Sequence, residues 1–163
     1  MNSFDHLMII DDEAEIGELL TSLFGDMFAK ISVFTNGPAA LAFAKSDQTV
    51  NAILTDVFMP EMTGDQLIRS LRAAGLQTPV FFLTGYSTKA LVLSALRLGA
   101  ADFFEKPFSS DVLRESVGRV LEIEKRRAQL IDMIASGKPA EEILKMRRMV
   151  GLLQVANEVK KTA

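Results

Sequence analysis

The sequence predicts an α/β fold, a parallel sheet with helices packed on both faces. Two observations predict it. Five short apolar runs alternate with five segments of helical periodicity across roughly the first 120 of 163 residues, and that alternation implies parallel strands joined by right-handed crossovers. Four of the apolar runs also end in Asp, Thr or Lys. Polar chemistry is thus placed on the edge where open α/β sheets bind ligands.

Taken in order, Leu7-Met8-Ile9-Ile10 is an apolar run closed by Asp11-Asp12-Glu13 and reads as a central strand. His6, the only histidine, precedes it and is expected at the surface. From Glu13, Ile16, Leu19, Leu20, Leu23, Phe24 and Met27 recur at three- and four-residue steps and predict a helix. Ile31 to Phe34 is the second strand. Asn36-Gly37-Pro38 turns into a helix through Leu41 and Phe43, with Pro38 tolerated in its first turn. Ala52-Ile53-Leu54 is the third strand, which Asp56 closes. Pro60 and Gly64 break the chain before a helix over Asp65–Ala74, with Gly75 suited to its C-terminal stop. Pro79 to Leu83 is the fourth strand, followed by Thr84-Gly85-Tyr86-Ser87 and a helix through Leu91, Leu96 and Leu98. Ala101 to Glu105 is the fifth strand, ended by Lys106-Pro107. Ser109, Ser110 or Asp111 caps the helix after it.

Composition narrows the function classes. Nearly half the residues are hydrophobic and about a quarter charged, an ordinary globular balance. No apolar run approaches the roughly 18 residues of a membrane span. No basic segment followed by an apolar core marks a secretory signal, so a cytoplasmic protein without a membrane partner is expected. The chain has no cysteine, which excludes disulfides and thiolate metal sites. The net charge of −3 is uneven: residues 1–108 carry 7 Lys/Arg and 13 Asp/Glu, whereas residues 109–163 carry 11 and 8.

In a parallel sheet all strand C-termini share one edge, so Asp11, Asp12, Asp56, Thr84 and Lys106 can converge. Three carboxylates without Cys or His make a hard, oxygen-lined site suited to Mg²⁺. Carboxylates held close need a counter-charge, which a divalent cation and Lys106 would supply. A carboxylate nucleophile, a metal, a hydroxyl and an ammonium together describe a phosphoryl-accepting site, with Asp56 forming an aspartyl phosphate.

At these residues the chain resembles the receiver domain of two-component response regulators, over residues 4 to about 122. The matching pieces are Asp11-Asp12, Asp56-x-x-Met-Pro-x-Met-x-Gly64, Thr84-Gly85 and Phe103-x-x-Lys106-Pro107, each after the right strand. The resemblance implies a flavodoxin-like (βα)5 sheet of strand order 2-1-3-4-5, an order the general rules for doubly wound sheets already assign to such proteins. It implies that Asp56 takes phosphate from a histidine kinase or histidine phosphotransfer protein. By the same resemblance Asp11, Asp12, Asp56 and the Phe58 backbone carbonyl hold the metal, Thr84 and Phe103 form the switch, and Lys106-Pro107 is a cis peptide. Phe58 and Tyr86 stand where the family flanks the path of the attacking water, and polar residues are common there. Two bulky aromatics predict a long-lived phosphoryl group. The protein is expected to be a switch, not an enzyme beyond its own phosphorylation and dephosphorylation.

Residues 1–122 are read as the receiver domain and 123–163 as a helical extension. The last receiver helix runs on through Val117, Leu121, Leu130 and Ile134. Ser136-Gly137-Lys138-Pro139 stops it and starts a second helix carrying Ile143, Met146, Met149, Val150, Leu152, Leu153 and Val159. Apolar positions on more than a narrow stripe predict burial against another surface. Packing back on the receiver and dimerisation through the C-terminal helices are both open, so a homodimer and a downstream protein partner are the expected partners. The alternative is a transcriptional or nucleic-acid-binding regulator with an atypical or truncated effector. The basic runs Glu124-Lys125-Arg126-Arg127 and Lys145-Met146-Arg147-Arg148 would serve it, but no groove-reading motif is present. A metal-dependent phosphatase is a third reading, and it would need an acid–base Asp where Phe58 stands.

Overall fold

The computed structural model describes residues 4–46 and 49–162, residues 159–162 by backbone alone, so the side chain of Val159 lies outside the described residues. The chain runs β1 (Phe4–Ile10), α1 (Ala14–Phe24), β2 (Phe28–Phe34), α2 (Gly37–Ser46), β3 (Val50–Asp56), α3 (Gly64–Ala73), β4 (Val80–Thr84), α4 (Lys89–Arg97), β5 (Asp102–Glu105), α5 (Ser110–Ala135) and α6 (Ala140–Thr162). It divides into two compact units, Met1–Val117 and Gly118–Ala163.

In the first unit the five strands are parallel, in the order β2-β1-β3-β4-β5. The three inner strands are covered on both faces. This is why β1 and β4 read as continuous apolar runs rather than as alternating patterns. One face packs Met8, Ile10, Ile53, Val57 and Phe82 against Leu67, Ile68 and Leu71 of α3, Ala40 and Ala44 of α2 and Ala95 of α4. Leu20 and Phe24 of α1 and Leu113 and Val117 of α5 are also buried. Burying each such aliphatic or aromatic side chain contributes about 1.5–3 kcal/mol. Arg114 of α5 ties that layer together, donating to the Leu23 carbonyl and pairing with Asp26 at 2.7 Å.

Helix starts follow local chemistry. Asn36 Oδ1 accepts from the Ala39 amide, and Thr88 Oγ1 from the Leu91 amide. Of the three candidate caps for α5, Ser109 is the residue that stands before it, its carbonyl taking the Leu113 amide.

Two expectations change. Met27 belongs to no helix: α1 stops at Phe24, and β2 begins at Phe28, three residues before its apolar core. Phe4 and Phe28 pair across the two strands, so both strands begin earlier than their hydrophobic runs. For the same reason His6 is not a surface residue. It falls inside β1 between β2 and β3, is 1% exposed, and sets its ring nitrogens 2.9 Å from Ser32 Oγ and 3.3 Å from Thr49 Oγ1. Phe43 lies edge-on to the ring.

In the second unit α5 ends at the foreseen Ser136–Pro139 link. The Gly137 amide reaches the Ile134 carbonyl, the Lys138 amide reaches Met133, and Gly137 has φ 67°. This paired closure requires the left-handed conformation that glycine adopts without penalty. Along α6, Ile143, Met146, Val150, Leu153 and Asn157 recur at three- and four-residue steps and are covered wholly or in part. Met133, Leu130, Arg126, Ile123 and Arg119 recur with the same spacing on α5 and are also partly or fully covered.

Candidate functional site: a carboxylate cluster closed by Lys106

Parallel register builds the site. Ile10 pairs with Thr55, so Asp11 and Asp56 emerge side by side from β1 and β3. Asp56 pairs with Leu83 and Thr84 with Glu105, bringing the ends of β4 and β5 to the same edge. Asp11, Asp12 and Asp56 each offer a carboxylate oxygen within 4.8 Å of the others. Asp11 and Asp56 are buried, while Asp12 is exposed. An all-oxygen set of this kind suits a hard divalent cation such as Mg²⁺.

Lys106 follows β5, and its bond to Pro107 is cis, as the family resemblance implies. Lys106 Nζ donates to Asp11 Oδ2 at 2.7 Å and to Asp56 Oδ2 at 2.9 Å. The other oxygens are held by backbone: Asp11 Oδ1 accepts from the Glu13 amide at 3.0 Å, and Asp56 Oδ1 from the Phe58 amide at 2.9 Å. Burial pulls the Lys106 ammonium down, but hydrogen bonds and charge from the two carboxylates outweigh it and hold its pKa well above the ordinary lysine value. On Asp11 burial wins. Its carboxyl is pushed up despite the Lys106 and Glu13 hydrogen bonds, with Asp56 adding repulsion. A cation bound among these oxygens would favour the ionised form of Asp11.

The β4 side is arranged differently. Thr84 is fully buried, and its hydroxyl is engaged with the Tyr86 backbone. Ser87 Oγ donates to Glu105 Oε2 at 2.7 Å, linking the β4–α4 loop to the end of β5. Phe103 is half-buried and edge-on to Phe82, with centroids 6.5 Å apart. Phe58 and Tyr86, two residues after Asp56 and Thr84, are 55% and 76% exposed.

Three further residues shape the site. Glu13 Oε1 lies 3.6 Å from Lys106 Nζ, a third acid near one cation; the Asp-Asp-Glu run was the available signal. Glu61 sits at φ 67° in the β3–α3 loop, where the Met62 amide turns back to the Pro60 carbonyl, and nothing in its residue type announces that. Gly64 starts α3 against the end of β3. A Cβ there would stand 2.7 Å from the Asp56 carbonyl and 2.9 Å from the Phe82 ring.

A family model described as the response regulator receiver domain matches residues 7–118. The chain is 30% identical over 130 residues to the regulatory protein AtoC of Escherichia coli K12, covering 80% of this chain and 28% of AtoC. It is 28% identical to the response regulator protein TmoT of Ectopseudomonas mendocina, covering 86% and 64%, and 31% identical to the response regulator SaeR of Staphylococcus aureus, covering 71% and 48%. The aligned stretch thus spans between about a quarter and two thirds of these relatives' lengths. Among solved structures, the receiver domain of the Francisella response regulator 1452 superposes with TM-score 0.66 at 26% identity, covering 72% of this chain and 96% of that one. In fold alone, the receiver domain of a LuxO repressor protein from Vibrio parahaemolyticus matches with TM-score 0.71 at 24% identity, covering 80% and 97%.

Proposed function

This chain belongs to the response regulator receiver family, with the flavodoxin-like sheet that family shares, and on that premise we propose that it accepts a phosphoryl group on Asp56 and switches protein contacts in response. The phosphodonor is a histidine kinase or histidine phosphotransfer protein, and the exchange takes place in the cytoplasm. No helix among the described residues is long and apolar enough to cross a membrane. The observation that carries the reading is Lys106 Nζ bridging Asp11 and Asp56 at 2.7 and 2.9 Å. A charged lysine is here held by the two carboxylates that a cation would occupy.

Asp56 attacks the phosphorus of the donor's phosphohistidine. One P–O bond forms as the P–N bond breaks, and the imidazole leaves with the electron pair. Mg²⁺, held by Asp11, Asp12, Asp56 and the Phe58 backbone carbonyl, would neutralise charge on the transferred group. Lys106, released from its carboxylates, then donates to a phosphoryl oxygen, and Thr84 to another. Three new acceptor oxygens and added negative charge favour the packing in which Thr84 has turned from Tyr86 toward the phosphate. That turn leaves room beside β5 into which Phe103 rotates. The output is protein–protein contact through the last helices, including the pairing of two copies.

The test is direct. Purified protein is incubated with Mg²⁺ and a small phosphodonor such as acetyl phosphate, then weighed intact. One added phosphoryl group on the wild type and none on Asp56→Asn is the expected result. Equal labelling of both proteins would remove Asp56 from its role.

A further inference from the structure

We propose that α6 pairs antiparallel with α6 of a second copy of this chain, across the face formed by Leu144, Arg148, Gly151, Leu152 and Val155. This rests on the reading above that the output is protein contact, and it specifies the surface and the partner.

Helix α6 is apolar on two opposite sides. The Ile143–Met146–Val150–Leu153–Asn157 seam is covered within the protein. At 100° per residue, Leu144, Arg148, Gly151, Leu152 and Val155 fall on the reverse side. There Leu144 is 48% exposed, Leu152 72% and Val155 63%. Single exposed leucines are ordinary, but an aligned set on a helix of 23 residues forms a contiguous strip.

Gly151 identifies the strip as a contact surface. A glycine in mid-helix weakens the helix. A Cβ at Gly151 would have no atom within 4 Å, so nothing in the chain itself requires its absence. A second backbone approaching from outside would.

The occupant follows from the pattern. An antiparallel copy related by a twofold axis near Leu152 sets each Leu152 beside its counterpart and brings Val155 over the gap at the partner's Gly151. The same inversion places Arg147 opposite the partner's Glu158, since both lie on one flank of the strip. In a parallel pair the twofold axis sets opposite flanks together, so Arg147 and Glu158, which share one flank, would not meet. Inversion is thus the arrangement that brings Arg147 and Glu158 together across the strip.

The full chain serves for the test, and its lack of cysteine makes cross-linking clean. Sedimentation equilibrium after treatment with Mg²⁺ and acetyl phosphate should show a dimer for wild type, with a larger dissociation constant for Asp56→Asn. The double variant Leu152→Lys/Val155→Lys should raise the dimer dissociation constant at least about tenfold while still accepting phosphate, which separates this inference from the role of Asp56. Leu152→Cys should form a disulfide-linked dimer under mild oxidation much faster than Ile131→Cys, an equally exposed position on α5. Arg147→Glu should weaken the dimer by about threefold, within the range of an exposed ion pair, and adding Glu158→Arg should restore it. A wild type that stays monomeric when intact mass shows it phosphorylated, a dimer indifferent to the double lysine variant, or equal cross-linking at 131 and 152 would overturn the proposal.

Discussion

Thr84 and Tyr86 are joined twice through one hydroxyl: Thr84 Oγ1 accepts from the Tyr86 amide and donates to the Tyr86 carbonyl, each at 3.1 Å. Before phosphorylation this pair fixes the start of the β4–α4 loop. Thr84→Val keeps the shape and removes both bonds, and should cost about 1 kcal/mol in urea denaturation. Tyr86 is the only tyrosine and there is no tryptophan, so tyrosine fluorescence reports this loop directly. Wild type should change its emission on phosphorylation, whereas Thr84→Val should be phosphorylated with the change largely abolished.

Lys106→Met leaves Asp11 and Asp56 adjacent, buried and without their cation. Removing one partner of such a cluster should destabilise the protein by about 2–4 kcal/mol. Because the lysine holds oxygens of the carboxylates proposed to bind Mg²⁺, added Mg²⁺ should recover more stability in the variant than in wild type. Thermal melts with and without Mg²⁺ check both points.

Phe58→Asn replaces an exposed aromatic beside the acceptor with a group that admits and orients water. The aspartyl phosphate should decay about tenfold faster, a barrier change of about 1.4 kcal/mol. The decay rate of the phosphoprotein, followed by intact mass, is the measurement, and an unchanged rate would separate lifetime from Phe58.

Much of this site was legible because strand ends are legible. Asp11, Asp56, Thr84 and Lys106 each close an apolar run, and parallel topology leaves them one edge to share. What escaped the sequence depends on neighbours far along the chain. His6 looks like a polar lead-in to a strand. Only its register against Lys30 and Val50 puts it inside the sheet, where Ser32 and Thr49 meet its ring. Met27 continues the helical spacing of α1, although the helix stops at Phe24 before Gly25 and Asp26. Glu61 gives no signal at all, since its backbone is set by the loop and not by its own preference.

Glu61 carries its own prediction. A left-handed conformation costs a non-glycine residue about 1–2 kcal/mol, so Glu61→Gly should relieve strain at the expense of greater unfolded-state freedom. The net gain expected in urea denaturation is about 0.5–1 kcal/mol.

Asp26 provides a test by pH. The Arg114 hydrogen bond holds its carboxyl below the usual value. The resulting stability is present above the unfolded-state pKa of about 3.9 and is lost as pH falls through the lower folded value. Asp26→Asn should therefore lower the urea midpoint at pH 7, with the gap to wild type narrowing below pH 4.

Gly64 makes the two sides of the site mechanically unequal. Its amide holds the Val57 carbonyl at 2.8 Å, and the space a side chain would need is filled by the peptide of Asp56 and the ring of Phe82. The phosphate would thus be gripped like work in a vice. One jaw, the end of β3 with the root of α3, is packed too closely to admit even a Cβ. Any travel must come from the opposite jaw, the loop that Thr84 now latches.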